Sequence, residues 1–263
     1  MQERYINREL YFNEQVYTTA NFVVPYVQSV MQITSSTRVL EVGCGEGGNL
    51  KPFLDMGCLC VGIDLSETKI ENGKKYFASH KNNVNLKMIC EDIYKVTPAD
   101  TEKYDLIIMR DTIEHIPNQD YFMDYLKKFI APGGKIFIAY PPWQMPFGGH
   151  QQVCTSKLLK VLPYVHLLPK FIHVAILKAF GESEETIQSL MEVRETGISM
   201  ESLKKIFTKR GYKIDKEDFY FINPNYEIKF KLKTKTVLPI FNIPYIRNFY
   251  TTCYYCVLSV SGI

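Results

Sequence analysis

Four glycines within six residues, placed at the end of an apolar run, constrain this chain more than any other feature. Val39-Leu40-Glu41-Val42 leads into Gly43-Cys44-Gly45-Glu46-Gly47-Gly48, and Asn49-Leu50-Lys51-Pro52-Phe53-Leu54 then reads as a helix. A strand-to-helix turn packed against a nucleotide-like ligand leaves no room for Cβ atoms, and its free N–H groups need acceptors. Residues 43, 45 and 48 also match Gly-x-Gly-x-x-Gly, which ordinary strand–helix connections share, so later segments must decide what the turn holds.

Those segments keep a strand–helix cadence. Cys58-Leu59-Cys60-Val61-Gly62-Ile63 ends in Asp64, about twenty residues beyond the glycines, where a carboxylate can accept both hydroxyls of a ribose. Ser66 then caps a helix carrying Ile70 and Phe77. Val84 to Cys90 alternates and is followed by Glu91-Asp92-Ile93. Tyr104 to Met109 is a continuous apolar run, as in a strand covered on both faces, and Arg110-Asp111-Thr112-Ile113-Glu114-His115 follows it. Tyr121 to Ile130 is helical in period, Pro132-Gly133-Gly134 turns, and Lys135 to Tyr140 is a fifth strand. Five alternations predict a doubly wound, mostly parallel α/β sheet whose ligands bind at the carboxyl ends of its strands.

The flanks read differently. Apolar and aromatic residues from Glu9 to Met31 are spaced for one or two helices, with Pro25 at a break or a helix start. The cadence stops at Pro141. Residues 142–198 are expected to form a helical lid insertion, and 199–263 a Ser199-capped helix ending near Gly211, then strands over 212–222 and 252–260. Glu227 to Lys235 alternates and is basic, as in a solvated ribbon. The whole is expected to be one domain: a helical cover (1–34), a cofactor-binding core (35–141), the lid and the C-terminal part.

A net charge of +3 over 263 residues leaves no electrostatic footprint for nucleic acid. Residues 1–9 carry mixed charge and no apolar core, so no secretory signal is expected, and a cytoplasmic location follows. Seven cysteines, mostly in strand-like runs, suit free thiols. Cys253-x-x-Cys256 would face opposite sides of a strand, and no second pair has ligand spacing, so no metal is expected. From His150 to Gly181 there are four lysines and no acid, which opens this segment to an anionic substrate or a transient contact with a membrane surface.

Taken together and in order, Val39 to Gly47, Gly62-Ile63-Asp64, Glu91-Asp92-Ile93, Tyr104 to Ile107 with Ile113-Glu114-His115, and Leu126 to Gly134 resemble the class I S-adenosylmethionine-dependent methyltransferases, in the style of the quinone-ring branch. The resemblance spans about residues 37–141. It implies a Rossmann-like, seven-stranded sheet with an antiparallel last strand, and S-adenosyl-L-methionine as cofactor. It implies that Gly43, Gly45 and Gly47 line the methionine end, Asp64 binds the ribose and Asp92 with Ile93 holds the adenine, that Glu41, Cys44 and Leu65 also belong to the cofactor site, and that Arg110 touches the amino-acid part or the substrate. The competing cofactor is a nicotinamide dinucleotide, against which Glu46 argues by placing a negative charge in a turn that would cradle a pyrophosphate.

Methyl transfer to a protonated acceptor calls for a base. His115 and His150 are the candidates, His150 lying beside two glycines past the fifth strand. Trp143 and Tyr17 are expected to line the acceptor pocket, Tyr17 from the N-terminal cover. The expected function is O- or C-methylation of a small molecule. The alternatives are a protein or RNA methyltransferase using Lys229 to Lys235, a catalytically silent cofactor-binding subunit, and, remotely, an NAD-dependent oxidoreductase.

Overall fold

A computed structural model describes residues 7–96 and 103–260. Residues 1–6, most of the stretch read above as no secretory signal, lie outside them. The chain opens with α1 (Arg8–Thr18), capped by the Asn7 side chain, which accepts from Leu10 N–H at 3.0 Å. One π-helical turn, Thr19–Val23, joins it to α2 (Val24–Gln28), with Pro25 in its first turn.

Eight strands form one sheet: β1 (Arg38–Val42), β2 (Leu59–Asp64), β3 (Leu86–Cys90), β4 (Tyr104–Arg110), β5 (Ile130–Tyr140), β6 (Tyr212–Ile222), β7 (Lys235–Thr236) and β8 (Cys253–Val260), in the order β3-β2-β1-β4-β5-β8-β6-β7. β1 to β5 are parallel, and β8 runs antiparallel to both β5 and β6. The seven expected strands are joined by β7, a two-residue edge piece paired to β6.

Helices α3 (Lys51–Asp55), α4 (Glu67–Phe77) and α5 (Gln119–Leu126) connect the parallel strands, and α9 (Met200–Lys209) packs with α5. Because strand side chains alternate, each strand feeds two cores. Ile107 and Met109 point into one, Leu106 and Ile108 into the other, and Cys253 and Cys256 are divided between the two in the same way. Burial of each such large aliphatic side chain contributes about 1.5–3 kcal/mol.

Between β5 and α9 the chain forms α6 (Lys157–Val161), α7 (Lys170–Ala179) and α8 (Glu184–Thr196) around a small core of their own, containing Leu159, Leu177 and Leu190. The basic ribbon expected over Glu227–Lys235 is corrected. Asn225–Phe230 is a helix, α10, opened by Pro224 and stopped by Lys231 in the left-handed region at φ +58°. Only Lys235, at the far end, joins the sheet, in β7; alternation alone does not make a strand where no neighbouring strand accepts it.

Candidate active site

In the order β3-β2-β1-β4, connections leave β1 in opposite directions, and the crevice this opens lies at the strands' carboxyl ends. A cleft of about 790 Å³ sits there, lined by Gly43, Asp64, Leu65, Lys69, Asp92, Ile93, Asp111 and His115. Its carboxylates suit a cationic ligand better than a pyrophosphate.

The glycine turn is built as its composition demands. Gly43, Gly45 and Gly47 take φ of +73°, +55° and +82°, and a Cβ on Gly43 would meet the Thr112 side chain at 2.7 Å. Gly43 and Cys44 N–H both donate to Ile63 O, at 2.8 and 3.1 Å, which ties the turn to β2. Asp64 then fixes its own surroundings: Oδ2 accepts from Gly45 N–H at 2.8 Å and Oδ1 from Ser66 N–H at 2.9 Å. Asp92 Oδ1 likewise accepts from Tyr94 N–H at 3.0 Å, setting the backbone after β3.

Beneath the turn lies a buried polar cluster. Asn49 donates to Glu41 Oε1 at 2.7 Å and accepts from Arg110 at 2.9 Å and from Thr19 at 2.8 Å. Burial pushes the Glu41 carboxyl up to about 8, opposed by the Asn49 hydrogen bond and by Arg110. Its Oε2 is buried with no hydrogen-bond partner, and Glu41 does not line the cleft. Cys44 is buried with Glu41, whereas Gly43 opens into the cleft. The cleft's own lining fits S-adenosyl-L-methionine, with the Gly43 backbone and the carboxylates of Asp64, Asp92 and Asp111 around a cationic ligand, while Glu41, Cys44, Gly45 and Gly47 shape the turn without lining the cleft.

Three expectations land elsewhere. Arg110 is spent on Asn49 under the turn, not on the lining of the cleft. Tyr17 donates to Glu227 at 3.1 Å and borders a separate hollow with Lys231 and Lys233. Trp143 packs edge-on against His166, at 4.7 Å between ring centroids, and His166 Nε2 bonds to the Trp143 carbonyl at 2.7 Å. The Glu46 argument also changes. Its buried carboxylate is taken by Arg8, so its charge is matched inside the fold. Asp111 and Thr112 were missed. Asp111 sits one residue past β4 at φ +53°, and the signal available was that position, directly after a strand carrying other site residues.

The two histidines meet. His115 and His150 are 4.9 Å apart between ring centroids, and both border a second hollow of about 520 Å³ with Pro117, Val153 and residues of α8. His115 and Pro117 line both spaces. Burial lowers the His150 pKa to about 4, with His115 and His166 adding to the effect. Burial lowers that of His115 as well, opposed by Asp111 and aided by Lys69. Glu114 beside them is buried with both oxygens unpartnered, and burial with Asp111 holds its carboxyl well above the ordinary range. Its ligand atoms and those of the two histidines lie within 4.8 Å of one another, the one such trio among the described residues.

A methyltransferase-domain family profile matches residues 19–217. The ubiquinone biosynthesis O-methyltransferase of Coxiella burnetii (strain RSA 331 / Henzerling II) is 31% identical over 178 residues, covering 67% of this chain and 73% of that protein. The fold is similar to the plantazolicin methyltransferase BpumL bound to a triazolic desmethylPZN analog and SAH, with TM-score 0.58 and 16% identity over 97% of this chain and 88% of that one. It is also similar to the SAH-bound magnesium protoporphyrin IX methyltransferase of Synechocystis PCC 6803, with TM-score 0.55 and 15% identity over 94% and 84% of the two chains. With its glycine turn, acid-tipped strands and strand order, the chain belongs to the methyltransferase-domain family and is an S-adenosyl-L-methionine-dependent methyltransferase with a small-molecule acceptor.

Proposed function

We propose that the chain methylates the hydroxyl oxygen of a small phenolic or quinol-type acceptor, bound in the hollow beside His150. The observation that carries this reading is the shared wall, His115 and Pro117, between the cofactor cleft and that hollow. The O-methyltransferase relatives support oxygen as the receiving atom. When bound, S-adenosyl-L-methionine supplies a methyl group already activated on a sulfonium. Asp64 and Leu65 would hold its ribose, Asp92 and Ile93 its adenine, and Gly43, in the turn shaped by Gly45, Gly47 and Glu41, its methionine end. What remains for the protein is to align the acceptor, exclude water and receive a proton.

The two histidines divide that last task. Both are neutral at pH 7 and present a lone pair. At about 4, His150 is a weak base, suited to accepting a hydrogen bond from the acceptor hydroxyl. His115, whose pKa is supported by Asp111, is the better proton acceptor. The reading includes a cytoplasmic location, supported by free thiols at all seven cysteines. No helix among the described residues is long and apolar enough to cross a membrane.

The test is single-turnover transfer of a labelled methyl group to a panel of catechols, hydroquinones and primary amines. Label is expected on the phenolic oxygens, with His115→Ala slowing transfer by about 10²–10³-fold. His150→Gln is expected to weaken acceptor binding more than the chemical step. Label on amines alone, or full rates in both variants, would defeat the proposal.

A further inference from the structure

Two segments, residues 151–181 and 228–252, contain no aspartate or glutamate. They also hold seventeen of the twenty-two large apolar side chains exposed among the described residues. The first carries α6 and α7 of the insertion; the second is the long connection from α10 to β8. The Tyr164 hydroxyl donates to the Phe249 carbonyl at 2.9 Å, which joins them. Exposure is high where the chain protrudes: Ile240 is 77% exposed, Phe171 74% and Val161 65%. Concentrated exposure of this kind marks an interaction surface.

Charge identifies the occupant. Lys231, Lys233 and Lys235 are exposed and precede the Ile240–Phe241 loop in the chain, and Lys157 precedes Leu158 on α6. Lys170 and Lys178 of α7 pair with Glu195 and Glu184 of α8; Lys157, Lys231, Lys233 and Lys235, flanking apolar side chains, complement a surface that is apolar inside and anionic at its rim. A protein partner of matching charge would need acids interleaved with its own apolar groups, and RNA offers no apolar layer for Ile240 or Phe241. Backbone geometry adds to the argument. Tyr164 and Tyr245 take φ of +64° and +66°, uncommon for aromatic residues, and their rings remain exposed. Pro239 and Pro244 restrict the loop between them.

We propose that these two segments form a peripheral docking surface for an anionic lipid bilayer. The acceptor hollow is linked to it. Tyr164 N–H donates to the Pro146 carbonyl at 2.8 Å, and Gln151, next to His150, donates to the Leu162 carbonyl at 3.0 Å. The surface stands apart from the acceptor's chemistry, so it holds or fails independently of the phenolic reading.

The experiment is co-sedimentation of the full chain with vesicles of phosphatidylcholine alone and of phosphatidylcholine mixed with phosphatidylglycerol. Strong binding to the mixed vesicles and weak binding to the neutral ones is expected. Lys231→Gln, Lys233→Gln and Lys235→Gln combined should weaken binding about fivefold per charge removed. Ile240→Asp with Phe241→Asp should weaken it by about tenfold or more, while circular dichroism and S-adenosylmethionine affinity stay unchanged because both side chains are exposed. No sedimentation with the mixed vesicles would overturn the proposal, as would wild-type binding by the apolar variant. A dimer in lipid-free solution that Ile240→Asp with Phe241→Asp dissolves would assign the face to a second copy of the chain and also overturn it.

Discussion

Arg8, at the start of α1, closes a two-point ion pair on Glu46 in the middle of the glycine turn, with Nε to Oε1 at 2.7 Å and Nη2 to Oε2 at 2.6 Å. Glu46 has no exposed side-chain surface and Arg8 has 29%. Removing the arginine therefore strands a buried carboxylate. Arg8→Ala is expected to destabilise the protein by about 2–3 kcal/mol, toward the lower end for a broken buried pair because the arginine is partly solvated. Arg8→Ala combined with Glu46→Gln should recover part of that loss, and urea melts of the four proteins in the cycle would measure it. Losses that simply add in the double variant would mean the pair is not coupled.

Asp64 has two structural hydrogen bonds besides its place in the cleft. Asp64→Ala should weaken S-adenosyl-L-methionine binding by roughly 2–3 kcal/mol, on the scale of lost hydrogen bonds to a charged group. Calorimetric titration reads this directly. Unchanged affinity would remove Asp64 from the cofactor site.

Three histidines, His150, His166 and His173, are each held by burial at about 4. Because the unfolded chain binds protons near pH 6.5 and the folded one does not, their contribution to stability is complete above that pH. It is lost as pH falls toward 4, by about 1.4 kcal/mol per pH unit for each group. Melting temperature measured from pH 7 to 4.5 should fall steeply across this window. A flat profile would show that the rings already reach solvent.

His173 offers a sharper version. Both its ring nitrogens are buried without a protein partner. His173→Leu should raise stability at pH 7 by about 1 kcal/mol, since it removes an unsatisfied polar group. It should also make the acid slope shallower by one histidine. Loss of stability at pH 7 would point to a partner for the ring outside the protein.

At Gly197 a Cβ would collide with the Trp143 ring. Gly197→Ala should therefore cost about 1–3 kcal/mol, the range for overpacking, and shift Trp143 against His166. A thermal melt reads the stability, and acceptor KM reads whether this packing supports the hollow.

The first half of the chain was the legible half, because there each local signal is also a global one. Apolar runs of β1, β2 and β4 could only be buried strands, the glycines could only be a turn under positive φ, and Asp64 had one place to stand. Beyond Tyr140 the signals decouple. Lys229 to Lys235 alternates like a strand, but Pro224 starts a helix that takes Lys229 and Phe230, and only Lys235 reaches the sheet, at the β6 edge. Trp143 and Tyr17 are aromatic residues near a ligand site in sequence, yet packing with His166 and a bond to Glu227 claim them. The pairing of His115 with His150 joins positions 35 residues apart, one past β4 and the other past β5, a relation set by the parallel pairing of those two strands. Asp111 was visible only as the residue after a strand, since its unusual backbone leaves no mark in composition.

The place of β8 has a consequence for how the protein is made. It is the last strand in sequence, yet it lies between β5 and β6, so a chain emerging from the ribosome must keep both of those edges unpaired until β8 arrives. During that interval the parallel half of the sheet ends in a bare, apolar β5, a template for any other extended strand nearby. Synthesis thus passes through a window in which the yield of native protein is set by how quickly eight residues, Cys253–Val260, find a gap.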